Sequence, residues 1–496
     1  MLHRIGKGTA PVYLASMRRL LPLLALSVHA LAVTPRPDRP RYVFLFIGDG
    51  MGAAQVALAE AWKASHDGDS TGFSPTVFSR FPVRGEVTTH CAVRRITESA
   101  AAATAMAGGS KAGEAVIGLD PHDNAPMRSL AEEARDAGVP VGIMTSVSVN
   151  HATPAAFYAH VDSRDKYWEI GRQLTTSRMP LFAGGGFQEP VGKPGKNQPD
   201  LHDLAKQKGF RIVQHRDSLA SLKTLPAILF SPAPAGGTAL PWAMDPADPS
   251  QPRLADFVGT GIRLLEGDNG FFLMAEGGKV DWACHANDAR AAIGEVWDLD
   301  AAVQLALEFG RKHPDETLIL VTADHETGGL SLGNGLRGYQ SDFGLLTRQR
   351  LSQERLADSL RVPFEAGLGK LDSARHFATM IAEIGRWTGL GQDPRLGLDR
   401  DDTLELARAY SLSLPGRRPV AGLDAAYWGR NPPLALAATR ILGRKAGVGW
   451  TSLAHTALPV PLYAWGVGAD RFGGRLDNTD IPARIRSLVG WKPLAR

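Results

Sequence analysis

Arg41-Tyr-Val-Phe-Leu-Phe-Ile47, followed by Gly48-Asp49-Gly50-Met51-Gly52, is an almost wholly apolar run closed by a glycine-rich turn. A run of this length without polar alternation suits a strand covered on both faces, which is the environment of a parallel sheet. Residues 53–64 then read as a helix. Outward from this unit the alternation repeats. Met127–Ala137 reads as a helix closed by Gly138, and Val139–Thr145 as the next strand. Leu181-Phe-Ala183 before three glycines is another short strand, and Gly270–Ala275 a further one ending at Glu276. Ala289–Gly310 is a long amphipathic helix. Thr317–Thr322 is an apolar strand running into Ala323-Asp324-His325, and strand character returns at Val460–Val467. Strands alternating with helices predict an α/β fold, a three-layer α/β/α arrangement around a mostly parallel sheet.

Two regions break the pattern. Residues 190–255 are rich in Pro, Asp and Lys and carry little periodic signal. Residues 335–450 are rich in Arg and Leu and mainly helical (Asp372–Trp387, Asp402–Leu412). They read as an inserted accessory, crown-like subdomain, leaving 41–334 and 451–490 as the main domain. No internal repeat or low-complexity tract is visible.

Met17-Arg18-Arg19, the mostly apolar Leu20–Leu26 and the small-x-small Ala30-Leu31-Ala32 form the pattern of a secretory signal peptide over 1–32, with 33–40 as linker. This predicts a periplasmic or secreted protein. No later segment reaches ~18 consecutive apolar residues, the length of a membrane span. Arg4, Lys7, Arg18 and Arg19 would leave with the leader, so the surplus of 55 basic over 51 acidic residues vanishes from the mature chain. With no basic patch interleaved with aromatics, nucleic acid is not an expected partner. The two cysteines, Cys91 and Cys284, could form one disulfide in an oxidising compartment or sit as small buried hydrophobes.

The chemistry-bearing residues gather at strand ends, where open parallel sheets bind ligands. Asp49 ends the first strand, Asn150-His151-Ala152-Thr153 follows the strand at 139–145, and Glu276 ends the one at 270–275. Asp324-His325 ends the strand at 317–322, and His455 precedes the last. Asp281 and His285 are four residues apart in a predicted helix Lys279–Ala289, so they share a face. Asp49, Thr153 and Glu276 are hard oxygen donors suited to magnesium. Asp281, His285 and His455, with Asp324 and His325, form mixed sets suited to zinc. In Thr97-Glu-Ser-Ala-Ala-Ala-Ala-Thr-Ala-Met-Ala-Gly-Gly109 the alanines predict a helix with Thr97 as N-cap and Ser99 in the first turn. There the free N–H groups favour an anion. A serine so placed beside metal ligands can accept a phosphoryl group.

The sequence resembles the alkaline phosphatases. The resemblance is carried by Phe46-Ile-Gly-Asp-Gly-Met-Gly52, Thr97–Ala105, Asn150–Ala156 through Ser163-Arg164, Glu276-Gly-Gly-Lys-Val-Asp281, His285-Ala-Asn287, Thr322-Ala-Asp-His-Glu326, and Ala454-His-Thr456 with Pro459–Tyr463. It implies a phosphomonoesterase with two zinc ions, one magnesium ion and Ser99 as nucleophile. One zinc would be held by Asp49, Asp324 and His325 with the Ser99 oxygen, the other by Asp281, His285 and His455. Magnesium would be held by Asp49, Thr153 and Glu276, and Arg164 would clamp phosphate oxygens. The resemblance also implies a homodimer acting on small phosphate monoesters at alkaline pH. The alternatives are a phosphodiesterase or sulfatase of the same superfamily, and a non-catalytic metal- or phosphate-binding protein. Two features depart from the family pattern. Glu98 stands where an Asp that orients the arginine is usual, and His151 and Trp282 occupy positions near the magnesium site that vary between branches. His66, His90, His122 and His160 match no ligand position and are expected to be structural.

Overall fold

The computed structural model describes residues 39–491, apart from 194, 232–236, 247, 370–371, 416 and 418–430. The leader read over 1–32 lies outside the described residues, as does the linker up to residue 38. Fourteen strands are present among the described residues. They are β1 (Tyr42–Gly48), β2 (Val83–Thr88), β3 (Val141–Thr145), β4 (Leu181–Gly184), β5 (Arg211–Val213), β6 (Ala227–Phe230), β7 (Phe271–Gly277), β8 (Thr317–Thr322), β9 (Glu326–Thr327), β10 (Ser331–Leu332), β11 (Val448–Gly449), β12 (His455–Thr456), β13 (Val460–Gly466) and β14 (Gly474–Asp477). Ten form one sheet in the order β14-β2-β13-β8-β1-β7-β3-β4-β6-β5, with helices on both sides. Every neighbouring pair in it is parallel except β13, which runs antiparallel to both β8 and β2.

The opening stretch lies at the centre. All seven residues of β1 are buried, flanked by β8 and β7 in register, with Ile47 beside both Thr322 and Glu276. Burying each large side chain here contributes about 1.5–3 kcal/mol, which explains the absence of polar alternation. Phe44 packs edge-on to Phe271 and to Phe309 of the long helix Ala289–Lys312. That helix buries Ala292, Val296, Leu299, Val303 and Ala306, a stripe at helical spacing.

The predicted helix Lys279–Ala289 is shorter, ending at His285. Asn287 takes a left-handed conformation (φ 46°), and Asp288 caps the following helix by accepting from Ala291 N. The chain therefore turns between two helices, and Asp281 and His285 keep their one-turn spacing in the first. The weakly patterned region 190–255 contributes β5 and β6, two short strands at one edge of the sheet. Helices Gln353–Gly367, Ser373–Thr388, Arg400–Ser413 and Pro433–Ala446 follow in the Arg/Leu-rich region, and Leu356, Met380, Leu406 and Leu436 join the same continuous apolar core as the sheet. Cys91 and Cys284 are both buried and unpaired. Among the described residues no helix is long and apolar enough to cross a membrane.

Candidate active site and metal centre

The register of the four central strands β8-β1-β7-β3 brings their carboxyl ends level. Glu276 lies beside Ile47 on one side and Thr145 on the other. Asp49 follows β1, Asp324 and His325 follow β8, and Thr153 lies in the turn of helix after β3, in Ala152–Ala155. The residues placed at separate strand ends by sequence are thus one buried cluster: Asp49, Thr153, Glu276, Asp324 and His325 are all fully inaccessible.

Their donor atoms converge. One oxygen or ring nitrogen each from Asp49, Asp324 and His325 lie within 4.8 Å of one another, as do those of Asp281, His325 and His455, and those of Asp49, His151 and Glu276. His285 Nε2 is 3.0 Å from His455 Nε2 and 3.3 Å from Asp281 Oδ2. Both histidines are oriented from behind: His285 Nδ1 bonds the Leu453 carbonyl at 2.5 Å, and His455 Nδ1 the Thr97 carbonyl at 2.9 Å. A backbone acceptor on Nδ1 turns the Nε2 lone pair inward, the arrangement that orients metal-ligating histidines. His455 arrives through β12, which pairs with β9 so that His455 lies opposite Thr327. Its ring stacks on His325 at 3.6 Å between centroids.

Burial and mutual repulsion dominate the electrostatics. Burial, then the charges of Asp324, Asp281 and Glu276, push the Asp49 carboxyl well above the usual range. Burial pushes Glu276 up to about 7, and burial reinforced by Asp281 brings Asp324 to about 7 as well. Burial holds His325 well below the ordinary imidazole value, with the neighbouring His455 adding to the effect. Burial followed by Arg164 brings His151 down to about 3. At Asp281 burial is outweighed by His285 and His455, which hold it well below the carboxylate range.

Four buried acids this close need cations. Both oxygens of Asp49, one each of Glu276 (Oε1) and Asp324 (Oδ2), and the Thr153 hydroxyl have no hydrogen-bond partner although buried. The opposite Asp324 oxygen is taken by the N–H groups of Gly50 (3.1 Å) and His325 (2.9 Å), so Oδ2 is the oxygen left facing the cluster. Orphaned oxygens and inward imidazoles are the donor set that divalent ions require.

Ser99 is the first residue of the helix Ser99–Gly108, and its Oγ lies 3.3 Å from His325 Nε2. The N-cap is Glu98, not Thr97. The Glu98 side chain reaches back over the helix start and accepts from Ala100 N (2.9 Å) and Ala101 N (2.8 Å), whereas the Thr97 carbonyl serves His455. The same carboxylate accepts from Ala115 N at 3.0 Å and from Arg164 Nη1 at 2.8 Å. Ala115 holds a left-handed backbone (φ 60°) and its carbonyl receives the Arg164 N–H at 2.8 Å. Glu98 therefore fixes Arg164 despite its extra methylene. Arg164 Nη2 lies 3.4 Å from His151 Nε2.

Sequence reasoning missed two supporting threonines. Thr327 Oγ1 donates to Asp281 Oδ1 at 2.5 Å and lies 3.2 Å from His325 Nδ1. Thr145 donates to Glu276 Oε2. Thr327 sits two residues past His325, in β9, and Thr145 ends β3 beside Glu276. Both signals become visible only with the strand register. Of the histidines expected to be structural, His160 bonds the Gly118 carbonyl and Glu132, away from the cluster.

The family model described as alkaline phosphatase matches residues 40–358. Among curated proteins, the chain is 31% identical over 453 residues to alkaline phosphatase 4 of Bacillus subtilis, spanning 89% of this chain and 87% of that one. It is 31% identical over 507 residues to the repressible alkaline phosphatase of Saccharomyces cerevisiae, spanning 92% and 83%. Among solved structures, the alkaline phosphatase of Thermus thermophilus superposes with a TM-score of 0.74 at 26% identity, covering 96% of each chain. The cold-active enzyme of a psychrophilic Shewanella sp. gives 0.72 at 28% identity over 90% of this chain and 99% of that one.

Proposed function

The chain belongs to the alkaline phosphatase family, and from that premise we propose that it hydrolyses phosphate monoesters to an alcohol and inorganic phosphate through a phosphoserine at Ser99. In this reading one zinc ion would be held by Asp49, Asp324 and His325 with the Ser99 oxygen, and a second by Asp281, His285 and His455. Magnesium would take Asp49, Thr153 and Glu276. The observation that carries the assignment is the set of buried, unpartnered oxygens on Asp49, Thr153, Glu276 and Asp324, next to a serine hydroxyl at a helix start. When bound, the cations supply the Lewis acidity that keeps Ser99 ionised and offsets charge on the leaving oxygen. His151, whose ring joins Asp49 and Glu276 in one donor group, stands as a further ligand candidate at the third position.

The chain's own residues then do the rest. Arg164, anchored by Glu98, presents a planar fork to two non-bridging oxygens of the ester. The Ala100 and Ala101 N–H groups of the first helical turn are committed to Glu98, so the helix start contributes the positive end of its dipole rather than free donors to the incoming dianion. Ser99 Oγ forms the bond to phosphorus as the bond to the ester oxygen breaks, and the alcohol leaves with a proton from solvent. Water then adds to the same phosphorus, the Oγ–P bond breaks and phosphate departs. A monoester offers the two free oxygens that Arg164 rewards, and a diester offers them less well.

The segment 335–450 is assigned in this reading as an accessory subdomain. The leader pattern supports export to the periplasm or medium, and the family resemblance supports a homodimer. The test is mass spectrometry of protein quenched at low pH with phenyl phosphate, alongside metal analysis. A phosphoryl group on Ser99, zinc and magnesium in the purified protein, and loss of turnover in Ser99→Ala are expected. Full activity after chelation, or a quenched adduct elsewhere, refutes the assignment.

A further inference from the structure

A cavity of about 240 Å³ opens directly onto the site, lined by Cys91, Arg94, Ile96 and Glu114 and by two of the candidate metal ligands, His285 and His455. Its position relative to Ser99 has a chemical meaning. In an in-line displacement the ester oxygen departs on the side of phosphorus opposite the attacking Oγ. Ser99 Oγ lies against His325, His325 stacks on His455, and His455 touches His285. The cavity borders the His285/His455 end of this row as well as Thr97 and Glu98 just ahead of Ser99, so an ester on Ser99 whose alcohol departs toward that end points into it.

The walls say what that alcohol should be. Ile96 is 47% exposed and Val93, three residues earlier, 68%, so the 91–96 loop turns apolar surface outward beside a highly charged centre. Isolated exposed apolar residues are ordinary; here one of them lines a cavity shared with the reacting site. Cys91 is buried beneath, its Sγ facing the Arg94 carbonyl. Of the charged lining residues, Arg94 and Glu114 are paired with each other, and Glu98 is paired with Arg164. They neutralise one another at the rim and call for no charge on the guest. The Ile96 side chain, beside the rings of His285 and His455 that also line the cavity, suits a flat apolar group.

We propose that this cavity is a leaving-group subsite that selects phosphate monoesters of aromatic or similarly flat apolar alcohols over those of small polar ones, with Ile96 as its specificity-determining residue. The proposal rests on the reading of Ser99 as nucleophile. At roughly 25 cal/mol per Å² of apolar surface, a ring seated against Ile96 gains on the order of five- to tenfold in affinity from that side chain.

The test pairs turnover with binding of inert analogues to the metal-loaded protein. kcat/KM is measured for 1-naphthyl phosphate and glycerol 2-phosphate, and inhibition constants for phenylphosphonate and methylphosphonate. Wild type is expected to bind phenylphosphonate at least tenfold more tightly than methylphosphonate. Ile96→Ala should shrink that ratio about fivefold, and the naphthyl-to-glycerol ratio of kcat/KM in parallel. Ile96→Trp, which fills the cavity, should raise the naphthyl ester's KM. Ile96 is half-exposed, so neither variant threatens the fold. Turnover with equal phosphonate affinities, or with ratios unchanged in both variants, overturns the subsite alone. Absence of turnover with either ester, together with no adduct on Ser99, overturns the parent reading and the subsite with it.

Discussion

Removing the Glu98 carboxylate should be among the most damaging single changes available outside the core. Its two oxygens accept from Ala100 N, Ala101 N, Ala115 N and Arg164 Nη1, at 2.8–3.0 Å. Glu98→Ala deletes a helix cap, a loss of about 1 kcal/mol. It orphans the Ala115 N–H, for about 1 kcal/mol more. It also leaves the Arg164 guanidinium, whose side chain is 22% exposed, without its partner. Breaking a fully buried pair costs about 3–5 kcal/mol, and the partial exposure here brings the figure to about 2. The total is about 4 kcal/mol, a large share of the stability of an ordinary domain. Glu98→Gln keeps acceptor capacity for the cap but loses the charge on Arg164, and should cost about half as much. Glu98→Asp keeps both charge and cap, yet is too short to serve all four donors. Urea unfolding of the metal-loaded protein gives the stability order, and inhibition by inorganic phosphate reports on Arg164. The expected order of decreasing damage is Ala, Gln, Asp, with weaker phosphate inhibition in the first two. Glu98→Ala within about 0.5 kcal/mol of wild type, or with unchanged phosphate inhibition, would refute it.

Three further outcomes are expected. Gly50 has φ 72°, and a Cβ there would lie 2.8 Å from Thr327 Oγ1 and 2.9 Å from Asp281 Cα. Gly50→Ala should therefore cost at least 1–2 kcal/mol and lower the divalent-metal content measured by elemental analysis; full metal content would contradict the packing described. Asp300, buried with Oδ1 accepting from Val77 N at 2.8 Å, has its carboxyl pushed up to about 7 by burial. Because the folded value is raised, the stability this group contributes is complete below about pH 4 and is lost as pH rises through about 7. Asp300→Asn keeps the acceptor without the charge, so its unfolding midpoint should gain on wild type between pH 5 and pH 8; a pH-independent difference would exclude the effect. Finally, thiol titration of protein unfolded without reductant should find two free thiols per chain, matching unpaired Cys91 and Cys284.

The central strands were legible because they are buried on both faces and so carry no polar positions to obscure them. Thr317–Thr322 agrees residue for residue, and β1 differs by one residue at each end. The edges were not. In β2, Val83-Arg-Gly-Glu-Val-Thr88, most residues are exposed or half-buried, and its place is fixed by pairing with β13 from nearly 380 residues away. In β6, four buried residues are too few for periodicity to speak. At the site, residue types and strand-end positions pointed to one cluster, and the structure brings Asp49, Glu276, Asp281, His285, Asp324, His325 and His455 together. The cap at the helix start was misread because Thr97 and Glu98 both offer a side-chain acceptor, and only the fold shows that Glu98 caps while the Thr97 hydroxyl turns to the Glu98 carbonyl. The support from Thr145 and Thr327 depends on register, which a strand's own sequence does not encode.

The two-rung pairing of β9 with β12 has a consequence for the order of events in the cell. His455 is contributed from beyond residue 450, and the strand that follows it, β13, is also what joins β2 and β14 to the rest of the sheet. A ribosome that has delivered β1, β3, β7 and β8 has supplied every parallel central strand, but neither the last imidazole nor the wedge that closes the sheet. A product that stops ahead of residue 455 would thus carry Ser99 without the imidazole that completes the donor group of Asp281 and His325.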